Sequence, residues 1–200
     1  MKTAYCFDLD GTVTQTEILP VIAAELGMTD EIEVLTRATM DGLIPFDASF
    51  RLRCLVLGLV PPETIATVVA SIPLHSDILE FIQSRQADCF LVTGNLDIWV
   101  APIVERCGCG AYTSTAVNKD GRLCVDHILN KAHVVEKLRE QRGYERIVAV
   151  GDGANDVGML DMADIGIAYG GVHPPAVPAL TVSDLVINDG TTLCKLLKTL

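Results

Sequence analysis

Apolar residues recur at helical spacing through the first third of the chain after its opening strand. In the segment 17–27, one stripe is formed by Ile18, Leu19, Ile22, Ala23 and Leu26. Gly27 suits the C-terminal end of that helix. Similar patterns predict helices near residues 30–41 and 47–57 and after the Pro61-Pro62 pair. Four short helices in succession predict a small helical module at residues 15–71.

From residue 74 onward, helix-like and strand-like segments alternate. Strands are predicted at the opening segment before Asp8 and at residues 89–93, 147–151, 165–168 and 185–187. Helices are predicted near residues 77–85, 96–106, 132–142, 157–162 and 191–200. Such alternation predicts an α/β fold with a doubly wound, mostly parallel, Rossmann-like sheet. Residues 1–14 and 72–200 would form this core, and the helical module would be a cap inserted after the first strand.

Composition favours a packed protein without a membrane segment. Half of the 200 residues are hydrophobic, which is enough for one sizeable core. The densest apolar run, CLVLGLV at residues 54–60, is far too short to span a bilayer. No secretory signal is visible at the start of the sequence, so we expect a cytoplasmic protein.

The cysteines and the net charge limit the classes of metal, ligand and partner that the protein is expected to bind. Seven irregularly spaced cysteines fit reduced thiols, and the Cys107-Gly108-Cys109 cluster lacks a second ligand pair for zinc. A formal net charge of −11 argues against a nucleic-acid partner. An acidic protein that handles phosphates needs local positive charge from a metal ion or from chosen Lys and Arg residues.

Three predicted strands end in chemically capable residues. The first is followed by Asp8 and Asp10, the second by Thr93-Gly94-Asn95, and the third by the segment 151–156. Ligands of open α/β sheets bind at the carboxyl ends of strands, so these clusters should converge. Asp10-Gly11 is also a hairpin signal, but convergence favours a site there. The isolated Asp120-Gly121 pair instead predicts a hairpin around residues 118–123.

Taken together, these residues resemble the haloacid dehalogenase superfamily of phosphohydrolases. Its first motif, Asp-x-Asp-x-Thr, matches Asp8-Leu9-Asp10-Gly11-Thr12. Thr93 matches the second motif, Lys131 is best placed for the third, and GDGANDVGML at residues 151–160 matches the fourth. All four motifs occur in the order of the superfamily over nearly the whole chain.

The resemblance implies a phosphomonoesterase that works through an aspartyl-phosphate. Asp8 would attack phosphorus, and Asp10, two residues along the extended chain, would move protons. Thr93 and Lys131 would hold the phosphoryl oxygens. An ordinary solvated lysine at a helix start is the alternative for Lys131.

The resemblance also implies a Mg²⁺ site, which suits crowded oxygen ligands. Its ligands would be Asp8, the main-chain carbonyl of Asp10, and Asp152. Thr12 and Asp156 would support these groups from behind, and Asn155 would help to brace the metal beside the substrate. A helix-capping role remains open for Asp156, alone or combined with support of the site.

Insertion of a helical cap between the first two motifs is similar to the phosphoserine phosphatase-like branch. Glu17 lies nine residues after Asp8, as in that branch, and the segment 46–58 resembles its cap, with Arg53 at the matching arginine. Glu17 would bind the ammonium of an amino acid, and Arg53 would bind its α-carboxylate. Arg51 is the competing arginine, but it should point elsewhere on a helix.

Other cap and loop residues do not decide which substrate the protein binds. Met40 and Phe46 match apolar cap positions near the substrate, although simple packing within the cap explains them equally well. Gly94 and Asn95 stand where that branch commonly has Gly-Gly, and the Asn95 side chain would narrow the pocket or add a hydrogen bond. The connection from Cys124 to Lys131 is also shorter than usual.

Two alternative functions remain at this stage. A related enzyme would act on another small phosphorylated metabolite, or would pass phosphate from phosphoserine to an acceptor alcohol such as homoserine. A non-catalytic phospho-receiver domain also combines Asp, Thr and Lys with Mg²⁺, but it lacks the inserted helices and the second acid. The histidines, His75, His127, His133 and His173, show no metal or triad spacing, and we assign them no role.

Overall fold

A single seven-stranded sheet organises the computed structural model, which describes residues 1–200. Its strands are β1 (Thr3–Phe7), β2 (Cys89–Leu96), β3 (Gly110–Lys119), β4 (Arg122–His127), β5 (Arg146–Gly151), β6 (Ile165–Tyr169) and β7 (Leu185–Ile187). Their order across the sheet is β4-β3-β2-β1-β5-β6-β7. Every neighbouring pair is parallel except β3 and β4, which form the hairpin at Asp120-Gly121. The predicted mostly parallel α/β sheet is therefore confirmed.

Ten α-helices surround the sheet. They are α1 (Ile18–Ala23), α2 (Thr29–Met40), α3 (Phe46–Leu57), α4 (Pro62–Ala70), α5 (Ser76–Ser84), α6 (Asp97–Cys107), α7 (Lys131–Arg142), α8 (Val157–Met162), α9 (Val177–Val182) and α10 (Gly190–Leu197). No single helix is long and apolar enough to cross a membrane, and only α3 and α4 taken together as a bent pair meet that criterion.

Alternating side chains of the central strands bury two apolar faces, which is why helices cover both sides. On one face, Tyr5 and Phe7 of β1 pack in a cluster with Phe81 of α5. On the other face, Cys6 of β1 packs in a cluster with Leu138 of α7. This arrangement makes the sheet doubly wound and leaves the carboxyl ends of its strands at one edge.

The inserted helices α1 to α4 lie between β1 and α5 in the chain. Helix α1 buries Ile18 and Ile22 in the same apolar cluster as Phe7 of the sheet. The single helix predicted for residues 17–27 is wrong: α1 ends at Ala23, and a 3₁₀ turn (Ala24–Leu26) follows. Gly27 ends this turn with a φ of 66°, a left-handed conformation that glycine adopts readily.

The carboxyl end of β2 is longer and less regular than predicted. The strand continues from Thr93 through Gly94 and Asn95 to Leu96, and its pairing with β3 shifts register between Val92 and Leu96. Thr93, Gly94 and Asn95 therefore lie in the irregular carboxyl end of the strand rather than in a following loop.

Candidate active site

The polar ends of β1, β2 and β5 surround a small cavity that α2 and α3 cover. Its volume is about 50 Å³. The predicted site residues that line it are Asp8, Asp10, Glu17, Met40, Phe46, Arg53, Thr93, Gly94, Asn95, Asp152 and Asn155. Lys131 lines a neighbouring space of about 270 Å³, which also contacts Phe46, Gly94 and Asn155. Strand ends and helices from distant parts of the chain therefore bring these residues to one place.

Sequence reasoning missed four residues that line the same cavity. They are Leu19, Thr36, Thr39 and Phe50. Each lies on a helix of the insertion, where apolar and threonine side chains are common and carry no distinctive chemical signal. The helical spacing of Thr36, Thr39 and Met40 on one face of α2 was the only available indication.

Lys131 is a buried member of the site. It begins α7 and is 4% exposed, so the interpretation as an ordinary solvated lysine is wrong. Its ammonium contacts Asp8 Oδ1 and lies 2.6 Å from Asp156 Oδ1. The other oxygen of Asp156 accepts hydrogen bonds from the main-chain N–H groups of Asp152 and Gly153, at 3.0 and 2.9 Å. Asp156 thus supports the turn after β5 and the lysine at once.

Burial and charge act against each other in this cluster. Burial raises the pKa of Asp8, and the Asp156 carboxylate raises it further, while the Lys131 ammonium opposes both effects. Burial alone would lower the pKa of Lys131, but the carboxylates of Asp156 and Asp8 more than offset it, so the pKa is raised. The lysine therefore stays charged and favours the ionised form of Asp8.

Asp10 is held through both carboxylate oxygens. Its Oδ1 accepts a hydrogen bond of 2.8 Å from the main-chain N–H of Ile18, and its Oδ2 accepts one from the Asn95 amide. Burial raises the pKa of Asp10 well above its usual range, with further increases from the charges of Glu17 and Asp8. A carboxyl group with a raised pKa can carry a proton to a leaving group near neutral pH.

Asp152 has a buried oxygen that accepts no hydrogen bond. Its Oδ1 accepts a hydrogen bond of 3.3 Å from Thr12 Oγ1, whereas its Oδ2 accepts none, although His173 Nε2 lies 3.2 Å away. Asp8, Asp152 and Asp156 offer carboxylate oxygens that lie within 4.8 Å of one another. Because a buried oxygen without a partner is costly, this arrangement fits a divalent cation with oxygen ligands.

Arg53 is a buried cation without an acidic partner. It is 3% exposed, and its Nη1 donates to Thr36 Oγ1 at 2.8 Å. No carboxylate oxygen lies within 4.0 Å of its guanidinium. Burial lowers the pKa of Arg53, and the charges of Asp10 and Glu17 across the cavity oppose that effect. Arg51, by contrast, is exposed and donates to the Val125 carbonyl at 3.4 Å.

His173 contacts two acids that line the cavity, although its sequence context indicated no role. Its Nε2 lies 3.3 Å from Glu17 Oε1 and 3.2 Å from Asp152 Oδ2. The hydrogen bond to Glu17 raises the pKa of His173, and burial opposes the increase. His173 lies 156 residues from Glu17 in the chain, so no local spacing could indicate this contact.

Comparison with known proteins identifies the class. Residues 6–161 match the sequence model of the haloacid dehalogenase-like hydrolases, and the chain belongs to that family. The chain is 32% identical over 180 residues to a phosphoserine phosphatase of Methanocaldococcus jannaschii, covering 84% of this chain and 85% of the relative. A phosphoserine phosphatase of Halobacterium salinarum is 32% identical over 191 residues, covering 88% and 89%.

Solved structures agree with these relatives. A substrate-bound phosphoserine phosphatase complex is 28% identical with a TM-score of 0.85, covering 100% of this chain and 98% of that one. A phospho-aspartyl intermediate analogue of phosphoserine phosphatase has a TM-score of 0.83 at 28% identity, with the same coverage. The chain is therefore a hydrolase of this family, and the phospho-receiver alternative is wrong.

Proposed function

We propose that the protein hydrolyses phosphoserine to serine and phosphate, through an aspartyl-phosphate on Asp8 and with Mg²⁺ as cofactor. The observation that carries this proposal is the unpaired, buried guanidinium of Arg53, which lines the same small cavity as Glu17 and the two motif acids. A buried cation without a counter-charge favours an anionic ligand. The similarity of the chain to phosphoserine phosphatases supports the same substrate.

The cavity offers complementary charges for an amino-acid head group. Arg53 can bind the α-carboxylate through a charge-assisted, forked contact, and Glu17 can bind the ammonium. The apolar side chains of Met40 and Phe46 line the space between them. A generic phosphate ester without the head group would satisfy neither charge, so this arrangement favours phosphoserine over simple esters.

The first chemical step is displacement at phosphorus. An Asp8 oxygen forms a bond to phosphorus while the bond to the serine oxygen breaks, and Asp10 gives that oxygen a proton. Lys131 contacts Asp8 and can hold a phosphoryl oxygen, and Thr93 and Asn155 offer further polar groups at the cavity wall.

The second step removes the phosphoryl group from Asp8. Asp10, now ionised, takes a proton from a water molecule. The water oxygen attacks phosphorus, and the bond between phosphorus and the Asp8 oxygen breaks. Inorganic phosphate leaves, and both acids return to their starting states. The raised pKa of Asp10 suits a group that alternates between giving and taking a proton.

The carboxylates of Asp8 and Asp152 and the main-chain carbonyl of Asp10 would hold the metal ion. When bound, Mg²⁺ supplies positive charge that offsets the phosphate beside these acids. We assign residues 15–71 to a cap that closes over a core of residues 1–14 and 72–200. In support, Thr36, Met40 and Arg53 reach the cavity from α2 and α3.

Substitution of Arg53 tests the assignment. We expect Arg53→Ala to lose about 2–5 kcal/mol of transition-state binding for phosphoserine, because a charge-assisted contact disappears. Hydrolysis of 4-nitrophenyl phosphate, which has no carboxylate, should change little. The first measurement is kcat/KM for both substrates with Mg²⁺. The second is the release of inorganic phosphate in the absence of an added acceptor alcohol, which distinguishes hydrolysis from phosphate transfer.

Arg51→Ala is the matched control, since Arg51 lies on the same helix but is exposed. It should leave both activities near the wild-type values. Proportional losses for both substrates in Arg53→Ala would indicate a misfolded cap. A wild-type enzyme that prefers phosphate esters without an amino-acid group would refute the proposed substrate.

A further inference from the structure

His173 lies behind Glu17 rather than inside the active cavity. A groove of about 560 Å³ runs between α2 and the loop after β6, and both Glu17 and His173 line it. Glu17 also lines the active cavity, but His173 does not. His173 can therefore influence a substrate in the active cavity through Glu17 and Asp152, the carboxylates that it contacts.

The contact fixes one end of the Glu17 carboxylate. His173 Nε2 and Glu17 Oε1 are in hydrogen-bond contact at 3.3 Å, and the histidine is the only side chain that bonds Glu17. A proton on Nε2 makes the ring a donor in either the neutral or the charged imidazole. The hydrogen bond at Oε1 then sets the orientation of the Glu17 carboxylate, and Oε2 remains available for a ligand.

The loop that carries His173 is anchored at both ends. Gly170 N–H donates to the Ile187 carbonyl and Ala176 N–H donates to the Asp152 carbonyl, each at 2.8 Å. Pro174 directly follows the histidine and restricts its backbone, and Pro175 in turn restricts Pro174. The position of the ring is therefore set by the fold as well as by Glu17.

Gly11 leaves the space that the ring uses. A Cβ atom at Gly11 would lie 2.9 Å from His173 Nε2 and 3.3 Å from Glu17 Oε1. A side chain at residue 11 would crowd both groups. The glycine of the first motif thus leaves room for the contact between His173 and Glu17.

We propose that His173 is a positioning residue, which holds the Glu17 carboxylate toward the cavity and thereby strengthens selection of substrates that carry an ammonium group. This inference rests on the proposed function, in which Glu17 binds the substrate ammonium. A carboxylate held in one orientation loses less freedom when the ligand binds, so its contact is more favourable.

Two phosphate esters and a short set of variants test the proposal. The esters are phosphoserine and 3-(phosphonooxy)propanoate, which is phosphoserine without its amino group. The variants are His173→Ala, His173→Gln, Glu17→Gln and the Glu17→Gln/His173→Ala double variant. His127→Ala, at an exposed histidine on β4, is the matched control. For each protein, kcat, KM, the Mg²⁺ activation constant and the melting temperature are measured.

We expect His173→Ala to raise KM for phosphoserine about tenfold, as expected for a weakened contact to a charged group, with a much smaller change in kcat. The deaminated ester should show little of this increase. His173→Gln, whose amide can still donate, should recover most of the loss. Adding His173→Ala to Glu17→Gln should cause no further loss, because the group being positioned is already altered.

Three results would overturn the inference without affecting the head-group assignment. Equal losses with both esters and a lower melting temperature would indicate a structural role for the histidine. A raised Mg²⁺ requirement with both esters would assign its effect to Asp152. Additive losses in the double variant would show that His173 acts independently of Glu17. A wild-type enzyme that does not distinguish the two esters would instead refute the head-group assignment, and the inference with it.

Discussion

Asn95 shows how one side chain can adjust a shared reaction. The phosphoserine phosphatase-like branch that this chain resembles commonly has glycine at this position, whereas here the Asn95 amide donates to Asp10 Oδ2. The Ile18 N–H already contacts Oδ1, so the amide contacts the oxygen that the proposed mechanism leaves for proton exchange. We infer that Asn95 orients Asp10 in addition to lining the cavity.

Asn95→Gly should lower kcat for phosphoserine about tenfold, which corresponds to loss of one hydrogen bond to a charged group, about 1.5 kcal/mol. The loss should be smaller for 4-nitrophenyl phosphate, because its leaving group needs no proton. Steady-state rates with both esters check this, and Asp10→Asn, expected to lose about 10²–10⁴-fold with phosphoserine, sets the upper limit. Equal losses with the two esters would show that Asn95 does not act through Asp10.

The residues that sequence could predict carry distinctive chemistry. Asp8, Lys131 and Asp152 belong to motifs whose residue types and order are informative by themselves. His173 and Thr36 do not, because histidine and threonine are common at surfaces and in helices. Their places beside Glu17 and Arg53 depend on contacts between distant segments, which only the folded chain displays.

Among the elements, α3 and the irregular end of β2 meet with almost no space between them. The Phe46 ring at the start of α3 covers Gly94, where an added Cβ would lie 2.3 Å from the ring. Phe46 also stacks on Phe50, with ring centroids 5.3 Å apart, so the ring has little freedom to move. The position of α3 over the cavity therefore depends on the absence of a side chain at Gly94.

Gly94→Ala should lower kcat/KM for phosphoserine about 10- to 100-fold, because overpacking of about 1–3 kcal/mol would displace α3 from the cavity. Adding Phe46→Leu should recover part of the loss by removing the ring. Kinetics and melting temperatures of both variants check this. Gly190→Ala is the control, since a Cβ there would meet neighbours only at 3.5 Å or more. An unchanged kcat/KM in Gly94→Ala would contradict the dependence of the α3 position on this contact.

Periodicity predicted the elements well where one pattern dominates. Continuous apolar runs indicated the central strands, and strand–helix alternation indicated the parallel sheet. Helix α9 was not predicted, because its surroundings, HPPAVPAL, are rich in proline. Pro178 is tolerated there because it lies in the first turn, a position that sequence alone does not reveal.

At the scale of the whole molecule, several negative charges meet at the carboxyl edge of the sheet. The chain has a formal net charge of −11, and three buried aspartates, Asp8, Asp152 and Asp156, surround the site together with the partly buried Asp10. Lys131 and Arg53 are the buried cations that oppose them. Folding without a divalent cation therefore brings like charges together in a poorly solvated space.

Mg²⁺ should stabilise the folded protein. At a free concentration 100 times its Kd, we expect the melting temperature to rise by about 5–10 °C, because the ion binds only the assembled acids. Differential scanning calorimetry with Mg²⁺, and again after a chelator is added, checks the rise and its reversal. Asp152→Asn should greatly reduce the shift. The metal assignment would fail if wild type and this variant responded alike.

The apolar cluster that α1 shares with the sheet limits how the insertion can be exchanged among relatives. Ile18 and Ile22 belong to the same apolar cluster as Phe7, so helix α1 is part of the hydrophobic core of the enzyme. A chimaera that imported a foreign segment at residues 15–71 would have to match side-chain volumes on both sides of this boundary. Helices α2 and α3 also contribute to this cluster, through Ile32 and Phe50. Variation of the cavity lining is therefore more accessible at Thr36, Thr39 and Met40 of α2, which line the cavity and lie outside the cluster.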